Sequence, residues 1–280
     1  MRRPNPFALL SLIPFPMRSI AIMNQKGGVG KTTTAVNLSA ALAETGAKVC
    51  LIDLDPQAHA TLHFGIESKQ VEFASIYEVF GDEKNLLEVR RQVAENFWLV
   101  PSHRDLVAAE VELAGKIGRE MILRDKLTED DMKFDYVIMD CPPSLGVLTI
   151  NALTAVDEVF VPLQPQYFAL DGLIELSQTI DLVFKRLNKS LRLSGVIFCL
   201  FERTRLATEV IEAVETFLKQ RWPNTQVFQT KIRRNIRLAE APSFGQPIFQ
   251  YDPSSHGAED YRLLAVEIHQ TAENSDGNLR

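Results

Sequence analysis

The stretch "SIAIMNQKGGVGKTTTAVNLSAALAE", residues 19–44, runs from a short apolar segment through a glycine-rich turn into a helical pattern. Few arrangements other than strand, loop and helix satisfy that order. Gly27, Gly28 and Gly30 let successive backbone N–H groups turn toward one centre, where they and the helix amino terminus hold phosphate oxygens. Lys31 then neutralises the β and γ phosphates, and the Thr32 hydroxyl ligates Mg²⁺. Lys26, Val29 and Thr33 complete the candidate nucleotide-binding loop. The usual G-x-x-x-x-G-K-[ST] pattern fails at its first position, where Gln25 stands and Lys26 follows. Two lysines so close in one turn repel unless a polyanion lies between them, as a triphosphate would. Lys26 has two possible places, on its own loop or across to the phosphates of a second subunit, where it would stabilise charge during phosphoryl transfer.

The rest of the chain alternates β-branched runs with longer helical patterns, the rhythm of a parallel sheet covered by helices. Strands are expected at 19–23, 48–52, 97–100, 136–139, 158–161, 196–200 and 226–229. Helices are expected at 31–44, 119–129, 147–155, 170–187, 207–220 and 257–271. The chain has 280 residues and is 46% hydrophobic, enough for one sizeable core. The expectation is an α/β fold, a single-domain P-loop NTPase with a mostly parallel twisted sheet flanked by helices on both faces. Residues 1–16 carry an apolar run cut by Pro14 and Pro16. The run lacks a small-residue cleavage site and falls below the ~18 apolar residues of a membrane span. It reads as a disordered extension, with Met17 an alternative start, the ATPase domain at 17–272 and a flexible polar tail at 273–280. Cys50, Cys141 and Cys199 have no metal-ligand spacing and read as small buried hydrophobes.

Two further motifs carry chemistry. "DLDPQ" closes an apolar strand with carboxylates spaced by two, so Asp53 and Asp55 leave it on the same side; either could instead be a capping carboxylate before Pro56. "YVIMDCPPS" reads as a Walker B strand whose terminal Asp140 faces Mg²⁺ directly or through water.

"KGGVGKTT" resembles the deviant Walker A motif of the ParA/MinD ATPases, in which the first lysine reaches across a nucleotide-sandwich dimer. The resemblance extends through "LIDLDPQAHAT" at 51–61, "YVIMDCPPSLGVLTINAL" at 136–153, "VPLQPQYFALDGL" at 161–173 and "IRRNIRLAEAPSFGQPIFQYDPSSHGAEDY" at 232–261. This succession is similar to that of the Soj-like partition branch. The resemblance implies ATP and Mg²⁺ as ligands and an ATP-dependent homodimer in which Lys26, Lys31 and Asp55 are catalytic, Asp55 orienting the attacking water. Thr32, Asp53 and Asp140 would serve the metal, Asp53 through its waters. One departure stands out. Pro165 and Gln166 occupy a place where close relatives often carry a Cys-Glu or similar pair, removing a charge near the expected dimer face.

A net charge of −6 argues against a uniformly nucleic-acid-binding surface, but the charge is unevenly spread. Residues 185–237 hold twelve Lys/Arg against four Glu, a net +8, leaving −14 on the remainder. Within that segment Arg203, Arg205, Arg233, Arg234 and Arg237 lie in loop-like settings. The resemblance matches Arg203 and Arg237 to positions that bind DNA nonspecifically in Soj-like proteins, whereas Arg233 replaces a proline common there. The implied function is a cytoplasmic, nucleoid-associated ATPase that binds double-stranded DNA without sequence preference. A ParB-like activator would stimulate it to segregate a chromosome or plasmid. A MinD-like membrane switch needs a basic amphipathic carboxyl-terminal helix, whereas "EIHQTAENSDGNLR" is polar and largely acidic; no stable membrane anchor is expected. An iron–sulfur reductase on the same fold needs two cysteines around a shared cluster. ParA-like positioners of other cargo share the motor and stay open.

Overall fold

Along each central strand the side chains alternate between two separate apolar clusters. In β1 (Arg18–Ile22), Ile20 and Ile22 enter one cluster and Ala21 the other, which Met23 also joins. In β5 (Tyr136–Asp140), Tyr136 and Ile138 face the first while Val137 and Met139 face the second. Period-two burial on both faces is what a sheet needs when helices cover each side. The computed structural model describes residues 16–66 and 74–277. All but the last residue of the expected amino-terminal extension, and residues 278–280 of the expected tail, lie outside them.

In chain order β1 is followed by α1 (Lys31–Glu44), β2 (Val49–Asp53) and α2 (His59–Leu62). Next come α3 (Ile76–Phe80), α4 (Leu86–Val89), β3 (Arg91–Ala94) and β4 (Phe97–Val100). Helices α5 (Leu106–Glu112) and α6 (Ile122–Thr128) precede β5. Then follow α7 (Val147–Ala155), β6 (Glu158–Leu163), α8 (Ala169–Arg186), β7 (Arg192–Phe198) and α9 (Arg205–Arg221). The chain ends with β8 (Gln226–Val227), α10 (Ile236–Glu240), α11 (Ile248–Tyr251) and α12 (His256–Gly277). The sheet order is β3-β4-β2-β5-β1-β6-β7-β8, parallel throughout except for the β3–β4 hairpin. From β1 the chain winds one way to β2, then β5 inserts between them and β6 starts the other way. The reversal falls beside β1, where the carboxyl ends of an open α/β sheet leave a crevice for ligands.

The expected strands are present, with corrections at the edges. β7 begins at Arg192 and ends at Phe198, four residues earlier than expected at its start and two at its end. Leu200, placed in that strand by its apolar run, adopts a left-handed φ of 51° in the turn beyond it. β3 has a polar, half-exposed sequence and no apolar run to announce it. α12 continues through Gly277, past its expected end at 271 and into the expected tail. Gly195 in β7 is obligatory for packing: a Cβ there would lie 2.4 Å from the Phe228 ring, which meets Phe160 edge-on at 5.2 Å between centroids. Arg18 ties the sheet to α12, its Nε and Nη2 donating to Glu158 at 2.7 and 2.8 Å and its Nη1 to the Ile268 carbonyl at 2.7 Å.

His63, at the end of α2, is buried and its Nε2 finds no partner among the described residues. Burial pushes its pKa down to about 4, and a backbone hydrogen bond with Gln246 only partly offsets this. Because the folded pKa lies below the unfolded one, the stabilisation is full above pH 6.5 and is lost as the pH falls toward 4. It amounts to on the order of 3 kcal/mol. Urea denaturation of the wild type and His63→Gln across that range should show the variant's stability falling less steeply with acid. Parallel profiles would remove His63 from the account.

Candidate nucleotide site

Register brings the site together. Ile22 pairs with Asp140, and Asp140 pairs on its other side with Asp53. The three neighbouring strands therefore end level, and the glycine loop, the Asp53–Asp55 turn and Asp140 emerge side by side. Asn24 anchors the loop, its Nδ2 donating to the Pro162 carbonyl at 2.8 Å and its Oδ1 accepting from the Lys26 N–H at 2.9 Å. Gly28 and Gly30 take φ of +74° and +93°, left-handed values that glycine adopts without strain.

The loop sends its two lysines different ways. Lys31 is only 8% exposed, and its Nζ donates to the Lys26 carbonyl at 3.2 Å. Burial lowers its pKa, while the charges of Asp140 and Asp55 work against that shift. Lys26 is exposed, and its Nζ donates to Gln166 Oε1 at 2.8 Å. One amine therefore faces the interior of the loop and the other its rim.

Asp140 is fully buried, and among the described residues neither carboxylate oxygen makes a hydrogen bond of ordinary geometry. Burial first, and the neighbouring Asp53 second, raise its pKa well above the carboxylate range, although the nearby Thr32 hydroxyl and Lys31 favour the anion. Asp53 is likewise pushed up by burial, to about 7, against three hydrogen bonds. These come from the Thr61 hydroxyl at 2.7 Å, the Thr61 N–H at 2.8 Å and the Asp55 N–H at 3.1 Å. Asp55 Oδ1 accepts from the Gln57 N–H at 2.9 Å. Ser102 completes a brace, its N–H donating to Thr61 Oγ1 and its hydroxyl to the Asp55 carbonyl, both at 2.8 Å. Ser102 is thus a site residue that no motif announced, and Thr61, the last residue of the 51–61 motif, is one to which that motif gave no role.

Orphaned buried carboxylate oxygens beside a threonine hydroxyl and an ammonium suit a hard divalent cation that takes oxygen ligands. Among the described residues the Asp140 oxygens lack a hydrogen bond of ordinary geometry, and the Thr32 hydroxyl lies beside them. Asp53, whose oxygens are engaged by Thr61 and Asp55, fits a supporting place behind them. Among the described residues no cluster of three or more His, Cys, Asp or Glu could hold a metal alone. A cation here would therefore rely on phosphate and water for its remaining ligands. Cys50, Cys141 and Cys199 are buried free thiols, all pushed up by burial, Cys50 and Cys199 to about 12.

The basic residues gather elsewhere, beyond β7 and β8. An isolated bridge between Phe201 and Arg233 draws the 201–205 and 233–237 segments together. Arg203 is exposed and has no ion pair among the described residues. Arg205 meets Glu209 at 2.9 Å, Arg234 meets Glu202 at 2.5 Å, and Arg237 meets Glu240 at 2.9 Å and Asp252 at 3.5 Å. Arg233 differs from these, being held by Asp260 and Glu259 on α12.

A glycine loop at the carboxyl end of a central strand, an inward lysine and carboxylates on the adjoining strand ends define a P-loop nucleoside triphosphatase. A family model described as an AAA domain matches residues 17–193. The chain is 47% identical over 251 residues to the sporulation initiation inhibitor protein Soj of Bacillus subtilis, covering 89% of this chain and 97% of that one. It is 44% identical to the chromosome partitioning protein ParA of Myxococcus xanthus, over 90% of this chain and 87% of that one. A solved structure of cobyrinic acid a,c-diamide synthase from Mycobacterium smegmatis with bound ADP and magnesium superposes with a TM-score of 0.76 at 36% identity. That match covers 89% of this chain and 93% of the other. The chain belongs to the ParA/Soj family of ATP-hydrolysing P-loop proteins.

Asp140→Asn removes a buried, unpartnered carboxylate, so the ligand-free variant should melt about 2–5 °C higher than wild type. It should also lose most of the extra stabilisation that Mg²⁺ with ATP gives the wild type. Thermal denaturation with and without both ligands reads the two effects. A variant still fully stabilised by Mg²⁺ and ATP would show that Asp140 does not serve the metal.

Proposed function

We propose that this chain is a Mg²⁺-dependent ATPase switch that forms a homodimer on binding ATP and holds double-stranded DNA without sequence preference. A ParB-like activator would then trigger hydrolysis and release, moving a chromosome or plasmid. On this reading the protein works in the cytoplasm, on the nucleoid. The observation that carries it is the division between Lys31, buried inside its own loop, and Lys26, exposed at the rim. A loop that already supplies one lysine to its own phosphates has no interior task for a second. Beside Lys26, Tyr167 and Phe168 are 75% and 68% exposed, apolar surface that a second copy of the chain would cover.

The residues divide the chemistry among them. The backbone N–H groups of residues 27–33 and the Lys31 ammonium hold the phosphate chain of ATP. Mg²⁺, held by Thr32 and Asp140 with Asp53 supporting through water, would neutralise charge on the β and γ oxygens. Asp55 keeps Oδ1 on the Gln57 N–H and leaves Oδ2 without a partner among the described residues, open to orient a water toward the γ phosphorus. Lys26 is held by a neutral amide rather than a carboxylate, so leaving Gln166 for a partner's phosphates costs little. Its role there is that of an arginine finger, meeting charge that grows as the phosphoryl group transfers.

Lys26→Ala should bind ATP as a monomer with turnover reduced about 10³-fold, the scale of a lost finger. Asp55→Ala should bind ATP, stay dimeric and lose about 10²-fold or more in turnover. ATP affinity, solution mass and phosphate release for both variants decide the assignment, and a dimeric, fully active Lys26→Ala protein would sink it.

DNA binding follows from Arg203, Arg205, Arg234 and Arg237 at one edge. Each phosphate neutralised contributes roughly 0.9 to the slope of log K against log salt. A dimer that aligns two such edges therefore doubles the slope and binds far more tightly at low salt. Arg237→Glu should lose DNA while keeping ATP-driven dimerisation. A salt titration against unrelated duplexes, with and without ATP, tests this; tight binding by the ATP-free monomer would contradict it.

A further inference from the structure

Arg233 stands where three parts of the chain meet. Its bridge to Phe201 is flanked by the Phe201 N–H donating to the Ile232 carbonyl at 2.9 Å and the Arg234 N–H donating to the Phe201 carbonyl at 3.2 Å. These bonds lay the segment carrying Arg203 and Arg205 against the one carrying Arg234 and Arg237. The neighbouring strand β8 has only two residues, so the ladder alone anchors the pair weakly. The anchor comes from α12. The Arg233 N–H donates to Asp260 Oδ2 at 2.9 Å, Nε lies 3.0 Å from both Asp260 oxygens, and Nη2 reaches Asp260 Oδ1 at 2.5 Å and Glu259 Oε2 at 3.0 Å.

The charges decide what this cluster can do. One guanidinium between two carboxylates leaves a net −1, so an approaching phosphate meets no attraction there. The Asp260 side chain is 5% exposed and the Arg233 side chain 41%, which makes this a half-sheltered pair with little freedom to exchange partners. Arg205, Arg234 and Arg237 sit in exposed pairs that yield readily to a phosphate. The next residue of α12, Tyr261, has its hydroxyl 3.1 Å from Thr34 Oγ1 in the first turn of α1. Adjacent positions of one helix thus touch the helix of the phosphate loop and clasp the basic edge.

We propose that Arg233 is a positioning residue: through Asp260 it fixes both arginine-bearing segments on α12, and it makes no phosphate contact of its own. The proposal rests on the DNA-binding reading above. It differs in sign from the alternative that Arg233 is one more phosphate ligand. If Arg233 were such a ligand, Asp260→Asn would free its guanidinium and tighten binding. If it positions, Asp260→Asn loosens the edge and weakens binding.

The experiment is a salt titration of DNA binding with ATP present, for wild type, Asp260→Asn, Arg233→Gln and the double variant, together with amide hydrogen exchange. Each single variant should bind about tenfold more weakly, the weight of one charge-assisted hydrogen bond. The salt slope should stay that of wild type. The double variant, which buries no unpaired charge, should be no worse than either single one, as expected of a unit. Exchange in residues 201–205 and 232–237 should rise in the single variants with or without DNA, while ATP-driven dimerisation stays unchanged. Tighter binding by Asp260→Asn, or a slope lower by about 0.9 per subunit in Arg233→Gln, would overturn the proposal. Should the wild type itself fail to bind DNA, the functional reading falls, and the exchange data still decide whether the clasp orders the two segments.

Discussion

The site depends on the level, in-register pairing of β1, β2 and β5. Parallel strands have no freedom to slide when both faces are buried, because a shift of one residue would turn every side chain into the opposite cluster. That constraint forces Asp53 and Asp140 to emerge as cross-strand neighbours in a place without solvent. Two carboxylates so placed resist ionising together, and burial adds to the effect. The fold therefore carries an unfavourable pairing that a cation and a phosphate chain relieve. Thr61 and Ser102 reduce that tension on the Asp53 side only, because hydrogen bonds satisfy Asp53 and leave Asp140 bare. The asymmetry matches the proposed roles, in which the braced carboxylate would support and the other would ligate.

The same economy explains why a loop can hold two lysines. Lys31 is tolerated at low exposure because Asp140 and Asp55 lie in front of it, and its amine uses the Lys26 carbonyl. Lys26 contributes that carbonyl while its own side chain leaves for Gln166. Backbone and side chain of one residue thus serve opposite sides of the loop. The neutral amide of Gln166 matters here. A carboxylate would hold the Lys26 ammonium more firmly than an amide does, and the proposed reach of Lys26 to a second subunit is easier from a loosely held start.

Much of this was legible in the sequence because it was local. The phosphate loop, the doubly apolar strands and the terminal aspartates are each written within a few consecutive residues. α3 and α4 are local too, each opened by a capping box, Ser75 with Glu78 and Asn85 with Glu88. Their four or five residues are too short for helical periodicity to register. What stayed hidden was long-range. Ser102 reaches Thr61 across 41 residues and Asp55 across 47, and nothing near either residue signals the contact. β3 escaped because an edge strand paired only on one side can be polar.

Charge counting shows the same boundary between local and distant information. The +8 of residues 185–237 suggests a strongly attractive surface. The structure sets acidic partners against several of those cations, and Glu240, Asp252, Glu259 and Asp260 lie outside the counted segment. The field felt by a polyanion is therefore weaker than the sum suggests, and most of it comes from side chains that must first exchange a carboxylate for a phosphate. Each exchange gains little by itself, since an exposed ion pair and an exposed phosphate contact are of similar strength. Net attraction then comes from counterion release summed over many contacts on the nucleic acid. A single edge with Arg203 and three exchangeable arginines supplies few of these. On the proposed reading, two edges held on one dimer would supply twice as many for one loss of translational freedom, so joining subunits through the nucleotide would turn weak contact into binding without any rearrangement of the arginines themselves.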